Sequence, residues 1–196
     1  MPEALTLGFD TSAAHCAAAL LSGETLLTTR QEEMAKGQAE RLMPLIEELL
    51  AEAGIGWRDL ALIGVGTGPG NFTGIRISVA AARGLALSLG IPAIGIGAPE
   101  ALAFGLPRPC RIVLPGRRDM AIWQDFGDDT PSQPRQDPLD ALPPGPPVLS
   151  PHIGMAEGIA RLARARSASP QPRPAPIYLR PADAAPARDR GPVILP

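Results

Sequence analysis

The chain has 196 residues, 45% of them hydrophobic and 19% charged, enough apolar material to build a folded core. Two cysteines without a C-x-x-C pair, Cys16 and Cys110, exclude a disulfide framework, and two distant histidines, His15 and His152, exclude an H-x-x-x-H metal pair. The net charge of -2 is uneven, with 6 basic against 11 acidic residues over 1–100 and 7 against 3 over 150–196, so the front half lacks the basic surface that direct nucleic-acid binding requires.

Leu5 to Phe9 and Cys16 to Leu21 are short apolar runs separated by the turn residues that follow Asp10, and Thr25 to Thr29 continues with β-branched and aliphatic residues. These runs predict a three-stranded antiparallel meander. Helical periodicity then takes over: Leu42, Leu45, Ile46, Leu49, Leu50 and Ala53 form an apolar stripe between Gln38 and Ala53, opposite Glu40, Glu47, Glu48 and Glu52. Gly54 fits a C-cap. Pro44 lacks an N–H, so either the helix starts close to Leu42 or it bends there.

Leu60 to Gly66 predicts a strand buried on both faces, followed by the glycine-rich turn Thr67 to Gly74 and a second helix from Ile75 to Leu89. That helix is rich in small residues, among them Ser78, Ala80, Ala81, Ala82, Gly84 and Ala86, and can be approached closely on more than one side. Ala93 to Ile96 predicts another strand, and a short helix follows near Glu100 to Phe104. Beyond residue 105, Arg111 to Leu114 and Met120 to Phe126 predict two strands. Residues 127–151 are proline-rich and read as a loop or a disordered segment, Ile153 to Ala165 as a helix, and Ser167 to Pro176 as a linker or extended stretch. The island Ile177-Tyr178-Leu179-Arg180-Pro181 is expected to tuck against the body.

This β-β-β-α-β-α order predicts an α/β protein of the actin-like ATPase or ribonuclease H-like class, with a mixed sheet. An N-terminal lobe spans 1–105, and a reduced C-terminal lobe spans 106–196 with its Pro-rich loop and extended tail. Asp10-Thr11-Ser12 stands where actin-like enzymes place groups that meet metal-bound phosphates, but three such residues also make a plain strand-to-strand turn. Gly68, Gly70, Thr73 and Gly74 lead into a helix N-terminus, where exposed N–H groups can face an anion. The stretch is neither a P-loop, which ends in Gly-Lys-Ser/Thr, nor a G-x-G-x-x-G dinucleotide site. Phe72 could equally serve there as a packing plug.

Three stretches together, Asp10-Thr11-Ser12, Glu40-Arg41-Leu42-Met43-Pro44-Leu45-Ile46 and Gly68 through Arg76, resemble the TsaB (YeaZ) family. The resemblance extends to Gly84-Leu85-Ala86-Leu87, Ile94-Gly95-Ile96, Glu100-Ala101-Leu102 and Tyr178-Leu179-Arg180-Pro181. It implies a non-catalytic paralogue of TsaD, the subunit that transfers a threonylcarbamoyl group to adenosine 37 of tRNA. TsaD-like proteins carry a histidine pair on the first helix, and Gln38 to Ala53 contains no histidine. A catalytic site of its own and a bound metal are therefore not expected.

The resemblance also implies a partner surface on the two N-terminal helices, with Leu42, Leu45, Ile46, Leu49, Ile77, Ala81, Gly84 and Leu85 as contacts; the alternative is that the same stripe covers its own sheet. The implied partners are a TsaD-like catalytic subunit and a TsaE-like ATPase, with tRNA met indirectly and a homodimer when the chain is alone. Asp10, Thr11, Ser12, Gly68, Gly70, Thr73 and Gly74 stand as candidates for a vestigial nucleotide or phosphate site, with ATP or ADP belonging to the complex and no cofactor held tightly by this chain. No stretch approaches a bilayer span of about 20 apolar residues, and the acidic N-terminus is unlike a signal peptide, so a cytoplasmic protein without membrane contact is expected. The competing function is a stand-alone phosphotransferase, ATPase or glycopeptidase-like enzyme, which would need a second phosphate-binding turn or a nucleophile with its base.

Overall fold

The computed structural model describes residues 3–128 and 131–179. Strand β1 (Leu5–Asp10) pairs antiparallel with β2 (His15–Ser22), which pairs antiparallel with β3 (Thr25–Glu33). On its other side β1 runs parallel to β4 (Leu60–Gly66), and β4 runs parallel to β5 (Ala93–Ile96). The resulting order β3-β2-β1-β4-β5 is the mixed-sheet actin-like unit that the sequence predicts. The third strand runs on to Glu33, four residues past the predicted end, because it lies at the sheet edge and alternates in burial, which lets polar residues occupy its outward positions.

Period-two alternation sorts the central strands. Leu7 and Phe9 of β1, with Cys16, Ala18 and Leu20 of β2 and Ile63 and Val65 of β4, face one side and meet α1 (Gln38–Glu52) and α2 (Phe72–Leu89) in the largest core cluster. The helix begins at Gln38, after Gly37 at φ 90°, and carries Pro44 inside it on the exposed side. Burying the Leu/Ile stripe thus outweighs the one hydrogen bond that proline removes. Asn71 caps α2 by accepting from Thr73 N at 3.1 Å, which starts that helix three residues earlier than predicted.

The opposite face of the sheet is occupied by α4 (Met155–Arg166). A side chain at Gly8 would overlap Ala156 O, and one at Gly64 would come within 2.8 Å of Ala163 Cβ. Glycine at these two positions is what lets α4 lie close on the strands. Ile159 and Ala163 join Leu62, Ile94 and Ile96 in a second cluster. A boundary at 105, expected from the sequence, assigns α4 to the C-terminal lobe; its packing places it on the first sheet instead, since that face would otherwise expose Leu62 and Ile94.

A five-residue helix, α3 (Ala98–Leu102), leads into β6 (Cys110–Pro115), β7 (Met120–Phe126) and β8 (Arg135–Pro138), an antiparallel sheet of order β6-β7-β8. Strand β8 lies inside the segment expected to be loop. Its sequence, Arg-Gln-Asp-Pro, has no apolar alternation to reveal it, yet Trp123 Nε1 donates to Asp137 Oδ2 at 2.8 Å and Arg135 lies 5.7 Å from the Trp123 ring. From α4 the chain returns to the first sheet: Pro174 is buried beside Gly95, and Ile177 N donates to Thr67 O at 2.8 Å. Tyr178 and Leu179 are described, while Arg180 and Pro181 of the expected island lie outside the described residues.

Candidate functional site

The turn after β1 and the glycine turn before α2 lock together. Asn71 N donates to Ser12 O at 2.6 Å, and Thr11 Oγ1 donates to Gly74 O at 2.7 Å. A Cβ at Gly70 would overlap Ser12 O, and one at Gly74 would overlap Thr11 O. Gly70 and Gly74 therefore serve a backbone-on-backbone contact with the turn 11–12. Gly68, at φ 84°, receives Ala98 N on its carbonyl at 2.7 Å, and Thr73 is exposed with its N–H already capped.

Asp10 is fully buried, and its Oδ2 accepts from Ser12 N at 2.8 Å and Ser12 Oγ at 2.9 Å, with His15 Nε2 at 2.7 Å. Its Oδ1 has no hydrogen-bond partner among the described residues and occupies the space that a side chain at Gly66 would need. The carboxylate is thus spent inside the fold, where it fixes the turn. Ser12 and His15 converge on one oxygen of Asp10 rather than on each other, an arrangement different from a relay in which a base takes the nucleophile's proton. No group of three His, Cys, Asp or Glu side chains gathers among the described residues.

Of the candidate partner contacts, Leu42, Leu45, Ile46 and Leu49 are each 1% exposed or less. They cover this chain's own sheet, so they offer no surface to another protein; a stripe that wide is what one face of a mixed sheet requires. Ile77, Ala81 and Leu85 are half-buried beside the same core, and Gly84 is exposed with open space above it. The outward face of α2 instead presents Ala80, Gly84 and Leu87, with Leu87 86% exposed. Leu87 is separated from Ala80 by seven residues and from Gly84 by three, so the 3.6-residue period could have found this face. Against the expectation that no stretch approaches a bilayer span, α2 has that length and composition. Five of its 18 residues, Gly74, Ile75, Ser78, Val79 and Ala82, are nevertheless buried in the fold.

The outer side of α1 is tied to β3 by ion pairs. Arg41 bridges Glu32 and Glu48, and Arg30 bridges Glu48 and Glu52, at distances of 2.6–3.0 Å. Hydrogen bonds from Arg41 hold the Glu32 and Glu48 carboxyls below their ordinary range. Two of the four acidic residues read on that face from the sequence, Glu48 and Glu52, are therefore already paired. Beneath it, burial and then the Glu32 charge push the Cys16 thiol up from 9.0 to about 11.

A family model described as "TsaD: tRNA N6-adenosine threonylcarbamoyltransferase" matches residues 28–130, more than half of the chain. The chain is 37% identical over 99 residues to the tRNA threonylcarbamoyladenosine biosynthesis protein TsaB of Buchnera aphidicola, covering 50% of this chain and 47% of that one. It spans about half the length of the curated relatives it matches. Among solved structures, YeaZ from Pseudomonas aeruginosa is similar at a TM-score of 0.73 and 25% identity, over 90% of this chain and 100% of the other. A P. aeruginosa protein described as similar to peptidase YeaZ has a TM-score of 0.76 at 24% identity with the same coverage, a likeness of fold. With the TsaD-related model over most of the N-terminal unit, the three motifs set at the β1 turn, α1 and the start of α2, and relatives named TsaB, the chain belongs to the TsaB (YeaZ) family.

Proposed function

We propose that this chain is the non-catalytic TsaB-type subunit of the complex that installs N6-threonylcarbamoyladenosine at position 37 of tRNA. It binds a catalytic TsaD-type paralogue through the outer face of α2 and supports a TsaE-type ATPase through that partner. Without the partner, the same face pairs two copies of the chain. Nucleotide belongs to the assembled complex, which works in the cytoplasm.

The observation that carries this reading is the exposed face of α2, where Leu87 stands 86% exposed beside an open Gly84. An apolar side chain so exposed on a helix of small residues lets a second helix approach closely and bury it. The commitment of both Ser12 and His15 to Asp10 supports a role without chemistry of its own.

The test is co-purification with the TsaD-type protein of the same organism, using Ala80→Arg and Leu87→Arg. Both residues are exposed, so the variants keep the fold, which thermal melting checks. Placing a charge in a desolvated contact abolishes binding. Normal co-purification of both variants refutes the docking face, and turnover of ATP or tRNA modification by the isolated chain refutes the non-catalytic role.

A further inference from the structure

Between the glycine turn and the second sheet lies a cavity of about 980 Å³, at the upper end of the roughly 300–1,000 Å³ usual for small-molecule sites. Its floor is Ala98, Leu114, Ile122 and Met155, and the returning segment supplies Ile177, Tyr178 and Leu179. Among the described residues, two charged side chains line it, both guanidiniums. Arg76 comes from α2, and Arg117 comes from the turn between β6 and β7 on the other wall. No carboxylate is among the described lining residues.

Arg76 is held in place. Its guanidinium lies 3.7 Å over the Phe72 ring, its Nε donates to Tyr178 Oη at 2.9 Å, and the two rings lie 4.9 Å apart. That leaves its two Nη groups for another acceptor. Arg117 is exposed, and neither arginine is in an ion pair among the described residues, where six others are.

A cavity walled by apolar and aromatic side chains and carrying two cations that form no ion pair among the described residues is complementary to an amphipathic anion. Magnesium seeks carboxylate oxygens, but the nearby carboxylate, Asp10, is sealed inside the fold and bound to Ser12 and His15. We propose that this cleft binds a small organic anion with an apolar body, without a metal ion, its anionic group bridging Arg76 and Arg117. The inference is independent of the docking face of α2, which lies outside the cavity.

Anilinonaphthalene sulfonate, an apolar anion that fluoresces on desolvation, is titrated into the full chain in EDTA. The expected result is saturable binding that weakens about tenfold or more in Arg117→Ala. Arg76→Ala weakens it likewise, and Arg83→Ala, a charge outside the cavity, leaves it unchanged. Uncharged N-phenylnaphthylamine binds both the parent chain and Arg117→Ala equally. Displacement of the probe by decanoate marks the ligand's anion as a carboxylate, and displacement by adenosine monophosphate marks it as a phosphate. The Arg117 side chain makes no hydrogen bond among the described residues, and only its backbone carbonyl is engaged, by Met120 N at 3.3 Å, so its variant tests the idea even if Arg76→Ala disturbs Phe72 and Tyr178. Absence of saturable binding, unchanged affinity in Arg117→Ala, a need for added magnesium, or loss in Leu87→Arg with retention in Arg117→Ala overturns the proposal.

Discussion

A methyl group at Gly74 would overlap the carbonyl oxygen of Thr11, a backbone atom that cannot swing aside. Gly74→Ala is therefore expected to lower the unfolding free energy by about 1–3 kcal/mol, the usual cost of forced overpacking, as read by urea denaturation. An unchanged midpoint would show that the two turns can part without loss. Cys16 offers a second residue-scale test. Its thiol is pushed from 9.0 to about 11 by burial and the Glu32 charge, so the fold favours the neutral form. The stability tied to this group is complete below 9.0 and lost as pH climbs through about 11. In a Cys110→Ala background, thiol alkylation at neutral pH is expected to proceed only as fast as unfolding exposes Cys16. Alkylation faster than unfolding would contradict the burial.

The two N-terminal helices divide their work between inside and outside. Helix α1 gives Leu42, Leu45, Ile46 and Leu49 to the core and ties its outer side to β3 through Arg41 and Arg30. Helix α2 buries five of its residues and leaves Ala80, Gly84 and Leu87 outward. Leu45→Ala should accordingly cost about 2–5 kcal/mol, the sum of lost transfer energy and the cavity left behind. Leu87→Arg should stay within about 0.5 kcal/mol of the parent chain, as surface changes usually do. Urea denaturation of the pair distinguishes core from docking face, and comparable losses in both would return Leu87 to the core.

At the scale of the whole molecule, the chain leaves the first sheet after β5, builds the second, and comes back as α4. That return makes the N-terminal unit dependent on residues far beyond it, because β1 and β4 are glycine-thinned where α4 lies. A fragment ending at residue 105 would expose Leu62, Ile94 and Ile96 to water. Such a fragment is expected to lack a cooperative unfolding transition, and co-expression with 106–196 is expected to restore it, both measured by circular dichroism. A cooperative transition in the fragment alone would show that the first sheet stands without its second helical layer.

Much of the first hundred residues was legible in the amino-acid order because its signals are local: strand runs, the apolar period of α1, and glycines that mark turns. The order of the elements pointed to the actin-like unit, and the motif residues carried the resemblance to the TsaB family. Three features depended on contacts between residues distant in sequence, which no local period encodes. One is the inward burial of Leu42, Leu45, Ile46 and Leu49, since an apolar stripe looks the same whether it meets its own sheet or another protein. Another is β8, whose polar residues are held by Trp123. The third is the convergence of Arg76 and Arg117, 41 positions apart in the chain, on one cavity, which exists only once the start of α2 and the turn between β6 and β7 line it together.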